Sequence, residues 1–547
     1  MAPQQPNYAV YYVTGRDLLP PGVDFFQHLD KALSGGHVSV VQIREKDADN
    51  GEFLEVAKKA HAIAAQHRVP MLVNDNLSVA LCLPPSVGLH IGQDDIPLPQ
   101  ARKLLGPDRL IGISVHTVDD AKRALAEGVA DYAGVGPVYG TQSKAGITDD
   151  KVLSPRGAAD IVDALQSTNR ERRLPCVLIG GINAQTCVRA LVGATGLHNY
   201  PDGVAVVSAI QARTDPDVAA AELDEMVASW QFRRSFGGSA ISLQGETASS
   251  LVQAASSLLT LHRRSNLGPP LIQTLTSHVS STLSANIALA FSSSPIMSHQ
   301  EEEAADLGRV TGGVVLNIGT ISAESRRGMK AVGREANKGG KPVVLDPVGV
   351  GASAFRKGCV QQILNDTQVT LIKGNAAELS SIAGLSEVAS RGVDSGAGSL
   401  SDPVGLVKKL ARKEKCLVLL TGKTDYLSDG RAVLACENGH PMVGRITGSG
   451  CALGVMLAAG MAAACNKAKE EGEGAMRGSA SMLVDANGKD VLVGALMGLL
   501  SMTIASEKAA GRGDVKGPGS FIPALIDEIA NLRPEDLVQG ANLSVAE

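Results

Sequence analysis

Val38-Ser-Val-Val-Gln42-Ile-Arg44-Glu-Lys46 (VSVVQIREK, 38–46) opens as a β-branched run and closes on an amide and two cations. β-Branched residues suit a pleated strand. Alternation along an extended chain then places Gln42, Arg44 and Lys46 on one side of its C-terminal end. Working outward, seven similar runs lie near 8–13, 69–73, 87–91, 109–114, 131–135, 175–180 and 203–207, with helical periodicity between them. Eight strand–helix units within roughly 230 residues is the count and length of a (β/α)8 TIM barrel.

In such a barrel chemistry gathers where the strands end, and polar residues fall there repeatedly. Asn74 and Asp75 follow the third run, HIGQDD (90–95) brings Asp95 after the fourth, and Ser114 ends the fifth. GPVYGTQSK (136–144) carries Thr141, Ser143 and Lys144 after the sixth; Gly180 and Gly181 follow the seventh, and Val207 and Ser208 the eighth. Two cations and an amide donor can hold a diphosphate. Asp75 and Asp95, with a bound diphosphate, offer the oxygen ligands that Mg²⁺ prefers. The last two loops form the usual phosphate site of barrels, built on backbone amides. An isolated Arg, Lys or Asp after a strand is ordinarily a rim charge or a helix cap, but motifs at successive strand ends argue for a site. His90 and His116 read as structural hydrogen-bonding histidines.

Residues 231–245 (QFRRSFGGSAISLQG) have linker composition. We therefore expect a first domain over 1–232, a linker over 233–245 and a second domain over 246–547. Strand-like runs at 314–318, 342–346, 369–373 and 416–420 with helix-rich spacing predict a three-layer doubly wound α/β/α domain. Residues 464–489 are polar and aperiodic, so a mobile surface insertion is expected there. Gly422-Lys-Thr is no P-loop, because Leu417 stands where that motif needs glycine. ITGSGC (446–451) is the better anion hole: Gly448 and Gly450 lead a helix whose first amides are unoccupied. Asp346 in LDPVG and Glu378 in KGNAAE end neighbouring strands and can hold Mg²⁺ with a nucleotide.

Fifty-one basic against 56 acidic residues give a net charge of −5, which supplies no basic field for nucleic acid or an anionic membrane. Small-molecule substrates fit better. Eight cysteines without a CxxC pair indicate neither a disulfide framework nor a zinc site, and so a reducing, cytoplasmic setting. The N-terminus lacks a signal-peptide pattern and no run reaches about 18 apolar residues, so neither secretion nor a membrane span is expected.

QIREK, ND, HIGQxD, GPVYxTxSK and IGGI, in that order over 8–230, resemble thiamine phosphate synthase. The resemblance implies that Gln42, Arg44, Lys46, Asn74, Ser114 and Lys144 bind hydroxymethylpyrimidine diphosphate and that Asp75 and Asp95 bind Mg²⁺. It assigns Thr141, Ser143, Gly181, Val207 and Ser208 to thiazole phosphate. The chemistry implied is ionisation of the pyrimidine diphosphate and capture of the cation by the thiazole nitrogen. LDPVG, KGNAAE and ITGSGC, with VLNIG (315–319), SPIM (294–297), NGH (438–440) and KGPGSF (516–521), resemble hydroxyethylthiazole kinase of the ribokinase-like superfamily. That implies ATP held by Lys373, Asn375, Thr421, Gly448 and Gly450, metal held by Asp346 and Glu378, and thiazole against Met297. It also implies a homo-oligomer built on kinase trimers, as a trimer or hexamer, with sites between subunits.

Most of that superfamily places an Asp after the glycines as base, where this chain has Cys451. A helix-start thiol should have a lowered pKa and accept the alcohol proton. Alternatively Cys451 packs, and the alcohol loses its proton late in a loose transition state. Ser277 and His278 replace side-chain amides expected near the thiazole pocket, which puts substrate affinity in question. Lys373 stands where some relatives carry Arg, keeping charge but not bidentate geometry. A regulatory protein built on inactive folds should have lost the Mg²⁺ carboxylates or the diphosphate cations. Asp75, Asp95, Arg44 and Lys46 are all present.

Overall fold

The computed structural model describes residues 6–141, 148–168, 171–235, 246–264, 266–385, 390–391, 394–395, 400–470 and 489–546. The chain divides into two compact units, Met1–Gln231 and Phe232–Glu547. Helix Pro216–Ser235 runs through the start of the stretch read as a linker, while 236–245 lies outside the described residues.

In the first unit the strands are β1 (Val10–Val13), β2 (Val40–Ile43), β3 (Met71–Asn74), β4 (Gly88–Ile91), β5 (Ile111–Val115), β6 (Tyr132–Val135), β7 (Cys176–Ile179) and β8 (Gly203–Val206). All pair in parallel and β8 closes onto β1, so the barrel expected from the eight runs is present. Its strands are buried because helices cover the outside and side chains fill the inside, as parallel pairing requires.

The second unit holds a nine-stranded sheet ordered β10-β9-β11-β12-β13-β16-β17-β18-β19. The ranges are β9 (Leu271–Leu275), β10 (Ser294–Ile296), β11 (Gly313–Asn317), β12 (Val343–Asp346), β13 (Leu371–Asn375), β16 (Leu417–Thr421), β17 (Asp425–Ser428), β18 (Val433–Cys436) and β19 (Leu543–Ala546). A separate two-stranded pair, β14 (Ser390–Arg391) and β15 (Asp394–Ser395), completes the numbering. Within the nine-stranded sheet β10, β9, β11, β12, β13 and β16 pair in parallel, and β17, β18 and β19 add antiparallel strands that sequence periodicity did not reveal.

Alternation makes this unit three-layered. Val315, Val344, Leu371 and Leu417 join one hydrophobic cluster, whereas their neighbours Val314, Val343, Ile372 and Val418 join another. A strand buried on both faces needs helices on both. One layer contains helices Ser449–Glu470 and Lys489–Ala510. Segments Ser449–Ala468 and Asp490–Ala510 are long and apolar enough to cross a membrane, which the sequence reading had not anticipated. Their most apolar stretches are 78% and 89% buried within the unit, as core helices are. The expected insertion at 464–489 needs correction as well. Residues 464–470 continue a helix whose Ala464 and Cys465 are buried, because apolar packing extends further than the polar composition implied; 471–488 lie outside the described residues.

Candidate active sites

At the barrel mouth the expected residues sit at the C-terminal ends of successive strands. Gln42 lies in β2, Asn74 ends β3, Ser114 lies in β5, and Thr141, Gly181, Val207 and Ser208 follow β6, β7 and β8. Asp75 takes a left-handed conformation (φ 59°), which Asp tolerates better than most residues. Its N–H donates to the His90 carbonyl at 2.8 Å, and Asn74 Nδ2 donates to its Oδ1 at 2.5 Å. Asp95 Oδ2 accepts from Gly92 N at 2.7 Å. Burial lowers the pKa of Arg44, while Asp17 and Asp75 oppose that shift. Gly181 has φ 63°, and a Cβ there would lie 2.6 Å from the Gly140 carbonyl, so the loops after β6 and β7 pack closely. Ser143 and Lys144 lie outside the described residues. His116 Nδ1 donates to the Gly136 carbonyl at 2.5 Å.

In the second unit the strand ends converge on buried charge. Lys373 Nζ donates to Asp346 Oδ1 at 2.9 Å and to the Gly450 carbonyl at 3.0 Å. Asp346, Lys373 and Glu378 are 0%, 4% and 7% exposed. Burial alone would lower the Lys373 pKa, but Asp346, Glu378 and Cys451 outweigh it and hold the ammonium above its ordinary value. Burial and then Asp346 push the Glu378 carboxyl upward. Glu378 also has a structural task. Asn375 caps helix Ala376–Ala383 by accepting from Glu378 N at 3.0 Å, and Glu378 Oε2 accepts from Asn375 N at 2.9 Å. Such a capping box is worth about 1 kcal/mol, and Glu378 Oε1 further holds Gly349 N at 3.0 Å.

Cys451 stands in the first turn of helix Ser449–Glu470 beside this cluster. Gly448 before it has φ 82°, and a Cβ there would approach Ser280 Cβ to 2.8 Å, so the turn needs glycine. The expected lowering of the Cys451 pKa is not what the site produces. Burial and then the Asp346 carboxylate raise it, against Lys373, Ser280 and Asn317. Two residues of this site were missed. Asn317 Nδ2 donates to Asp346 Oδ2 at 2.7 Å and to Cys451 Sγ at 3.1 Å, and Ser280 also hydrogen-bonds the thiol. Asn317 lay inside VLNIG, so the signal was there. Thr421 pairs in register with Asn375, whereas Met297 follows edge strand β10, separated from β11 by β9.

Residues 10–210 match the family described as thiamine monophosphate synthase, and 262–476 the hydroxyethylthiazole kinase family. The chain is 33% identical over 567 residues to a protein of Schizosaccharomyces pombe named "Probable thiamine biosynthetic bifunctional enzyme", with all of both chains covered. It is 30% identical over 563 residues to the "Thiamine biosynthetic bifunctional enzyme" of Saccharomyces cerevisiae, covering 97% of each. This chain belongs to that bifunctional family. In this synthase–kinase fusion the second half is also 39% identical to a hydroxyethylthiazole kinase of Halalkalibacterium halodurans, over 51% of this chain and 95% of that one. Both halves of the fusion are therefore transferases on an α/β frame, and the ionic cluster lies in the kinase half.

Proposed function

We propose that the kinase half phosphorylates the alcohol of hydroxyethylthiazole with ATP. The barrel then joins the resulting phosphate to hydroxymethylpyrimidine diphosphate. In the second step a C–O bond to diphosphate breaks, the thiazole nitrogen forms the new C–N bond, and diphosphate leaves. The buried Asp346–Lys373 pair against Gly450, at the start of a glycine-led helix, is the observation that carries the kinase assignment. Charge fixed in a dry site stabilises a transferring phosphoryl group more than charge in water.

Both donor sets fit Mg²⁺. Asp346 and Glu378 are two buried carboxylates facing one buried ammonium, a surplus of negative charge that a divalent cation offsets. Asp75 and Asp95 provide hard oxygens beside the diphosphate site. When bound, Mg²⁺ would neutralise charge on the phosphates. Gly448, Gly450, Asn375 and Thr421 would hold the nucleotide. Gln42, Arg44, Lys46, Asn74, Ser114 and Lys144 would hold the pyrimidine diphosphate, with Thr141, Ser143, Gly181, Val207 and Ser208 around thiazole phosphate. Cys451 is assigned to the reacting alcohol as proton acceptor.

The reading extends to domains over 1–232 and 246–547, a cytoplasmic setting, and a homo-oligomer built on kinase trimers. Met297, half-buried beside an edge strand, supports a thiazole site completed by another subunit. The test is thiamine phosphate formation by purified protein given pyrimidine diphosphate, unphosphorylated thiazole and Mg²⁺, with and without ATP. Strictly ATP-dependent product is expected. Product only from pre-phosphorylated thiazole would remove the kinase assignment and keep the synthase.

A further inference from the structure

Five side chains form one hydrogen-bonded chain through the inside of the barrel, and three of them have no role in the reading above. Gln42 Nε2 donates to Tyr11 Oη at 2.8 Å, and the Tyr11 and Tyr132 hydroxyls lie 2.7 Å apart. Tyr132 Oη lies 2.8 Å from His90 Nδ1, and His90 Nε2 lies 3.1 Å from Ser114 Oγ. Both tyrosines and Gln42 are buried. Two strand glycines make the room: a Cβ on Gly112 would stand 2.1 Å from the Tyr132 ring, and one on Gly134 would stand 3.3 Å from His90 Cε1. Glycine inside a strand marks such an approach by another group.

The chain has a direction. Burial holds both phenols above their ordinary pKa, so each carries its proton. An amide nitrogen donates only, so the Tyr11 oxygen accepts from Gln42; giving the Tyr11 proton to Tyr132 is then the orientation that leaves no buried phenol proton unpaired. Tyr132 then donates to His90 Nδ1, which puts the imidazole proton on Nε2 and makes Ser114 the acceptor there. Ser114 keeps its own hydroxyl proton for another partner, as a phosphate oxygen requires. With its nitrogen engaged, Gln42 keeps Oε1 for a donor such as an aminopyrimidine. The reverse direction needs the Gln42 amide flipped and directs serine lone pairs at an anion, so the two ends change together.

We propose that Tyr11, Tyr132 and His90 are positioning residues that couple the two ends of the pyrimidine diphosphate site, fixing Gln42 as acceptor and Ser114 as donor. This rests on the synthase reading of the barrel. The test uses the full chain and kcat/KM for hydroxymethylpyrimidine diphosphate in a cycle of Gln42→Ala, Ser114→Ala and the double variant. Separated sites that share no partner add to within about two-fold. Here a departure of about five-fold or more is expected, vanishing when the cycle is repeated on Tyr132→Phe, or on Tyr11→Phe if Tyr132→Phe does not fold. KM for thiazole phosphate should stay unchanged in those Phe variants, which a general loss of structure would not allow. Additive effects in the intact barrel overturn the proposal. Independently, ¹⁵N shifts of the His90 ring, assigned against His90→Gln, should place its proton on Nε2 with Mg²⁺ and inorganic pyrophosphate present. A proton on Nδ1 overturns it too. The NMR arm needs no turnover, so an inactive unsubstituted chain would sink the synthase reading and leave the relay still under test.

Discussion

The barrel mouth leaves its candidate site ions exposed or half-buried over neutral buried hydrogen-bonding groups, whereas the kinase centre buries the ions themselves. Arg44, Lys46, Asp75 and Asp95 are exposed or half-buried, over an interior of Tyr11, Tyr132 and Gln42. Asp346, Lys373 and Glu378 have no such access to water. The consequence is energetic. A surface ion can be removed with little loss of stability, because water replaces its partners. Removing one member of a buried pair leaves the other charged and dry, at about 3–5 kcal/mol.

The largest expected effect breaks that comparison directly. Lys373→Met should lower kinase turnover by about 10²- to 10³-fold, as loss of a fixed charge does elsewhere, and should lower the thermal transition of the second unit. Synthase activity on pre-phosphorylated thiazole should stay within about two-fold of normal, a difference too small to register beside those losses. Lys46→Met should show the complement, with impaired synthase kinetics and stability changed by no more than about 0.5 kcal/mol. Calorimetry and the two separate assays check both. Equal stability losses in the two variants would remove the distinction.

Cys451 sharpens the same point, with a smaller effect. Cys451→Ala should lower kinase kcat by about 10²-fold if the Cys451 thiolate accepts the alcohol proton, a typical value for general base catalysis. Cys451→Asp should then keep activity. Because burial and Asp346 raise the thiol pKa, native kcat should climb with pH through the neutral range, as the thiolate population grows. The carboxylate of Cys451→Asp should flatten that profile. Near-normal turnover in both variants sinks the base role and leaves Cys451 as packing.

How legible each site was follows from how local its determinants are. The barrel could be read from β-branched runs with polar ends, since strand, loop and ligand residue are adjacent in sequence. β19 could not be, because Leu543–Ala546 is short and pairs with β18 across about a hundred residues. Glu378 was found as a carboxylate at a strand end, but its capping of helix Ala376–Ala383 and its hold on Gly349 needed coordinates. The direction of the Cys451 shift was misread because a helix start shows only its own dipole. Burial of the thiol and then Asp346, at the end of another strand, outweigh the Asn317 hydrogen bond that works the other way.

Asp425 offers a pH test of the buried-ion argument. Burial pushes its carboxyl up to about 6, although the Gly422 N–H, donating at 2.9 Å, and Lys373 oppose the shift. A raised carboxyl pKa means the folded state binds more protons between the unfolded value and about 6. Stability therefore falls as pH rises through that window, and the full cost, on the order of 3 kcal/mol, persists above it. Asp425→Asn keeps an acceptor for Gly422 and removes the charge. It should raise the thermal transition of the second unit at pH 8 and leave it nearly unchanged at pH 4. A gain of equal size at both pH values would show that charge burial is not the cause.

The smallest effect is expected where sequence comparison raised the sharpest question. His278 is exposed, and its recorded bonds are through backbone: its N–H donates to Thr320 Oγ1 at 3.4 Å, and its carbonyl accepts from Ser281 Oγ at 3.1 Å. Ser277 Oγ accepts from Val279 N at 3.2 Å, which closes the turn after β9. Neither residue hydrogen-bonds Cys451; Ser280, further along the same loop, does. His278→Asn should therefore shift KM for hydroxyethylthiazole by less than about three-fold and leave kcat unchanged, a surface-sized effect. Ser280→Ala removes a bond to the thiol and should lower kcat more than His278→Asn does. If His278→Asn instead changes KM by ten-fold or more, the imidazole faces thiazole. The loop after β9 would then contribute to the pocket through two residues, Ser280 and His278.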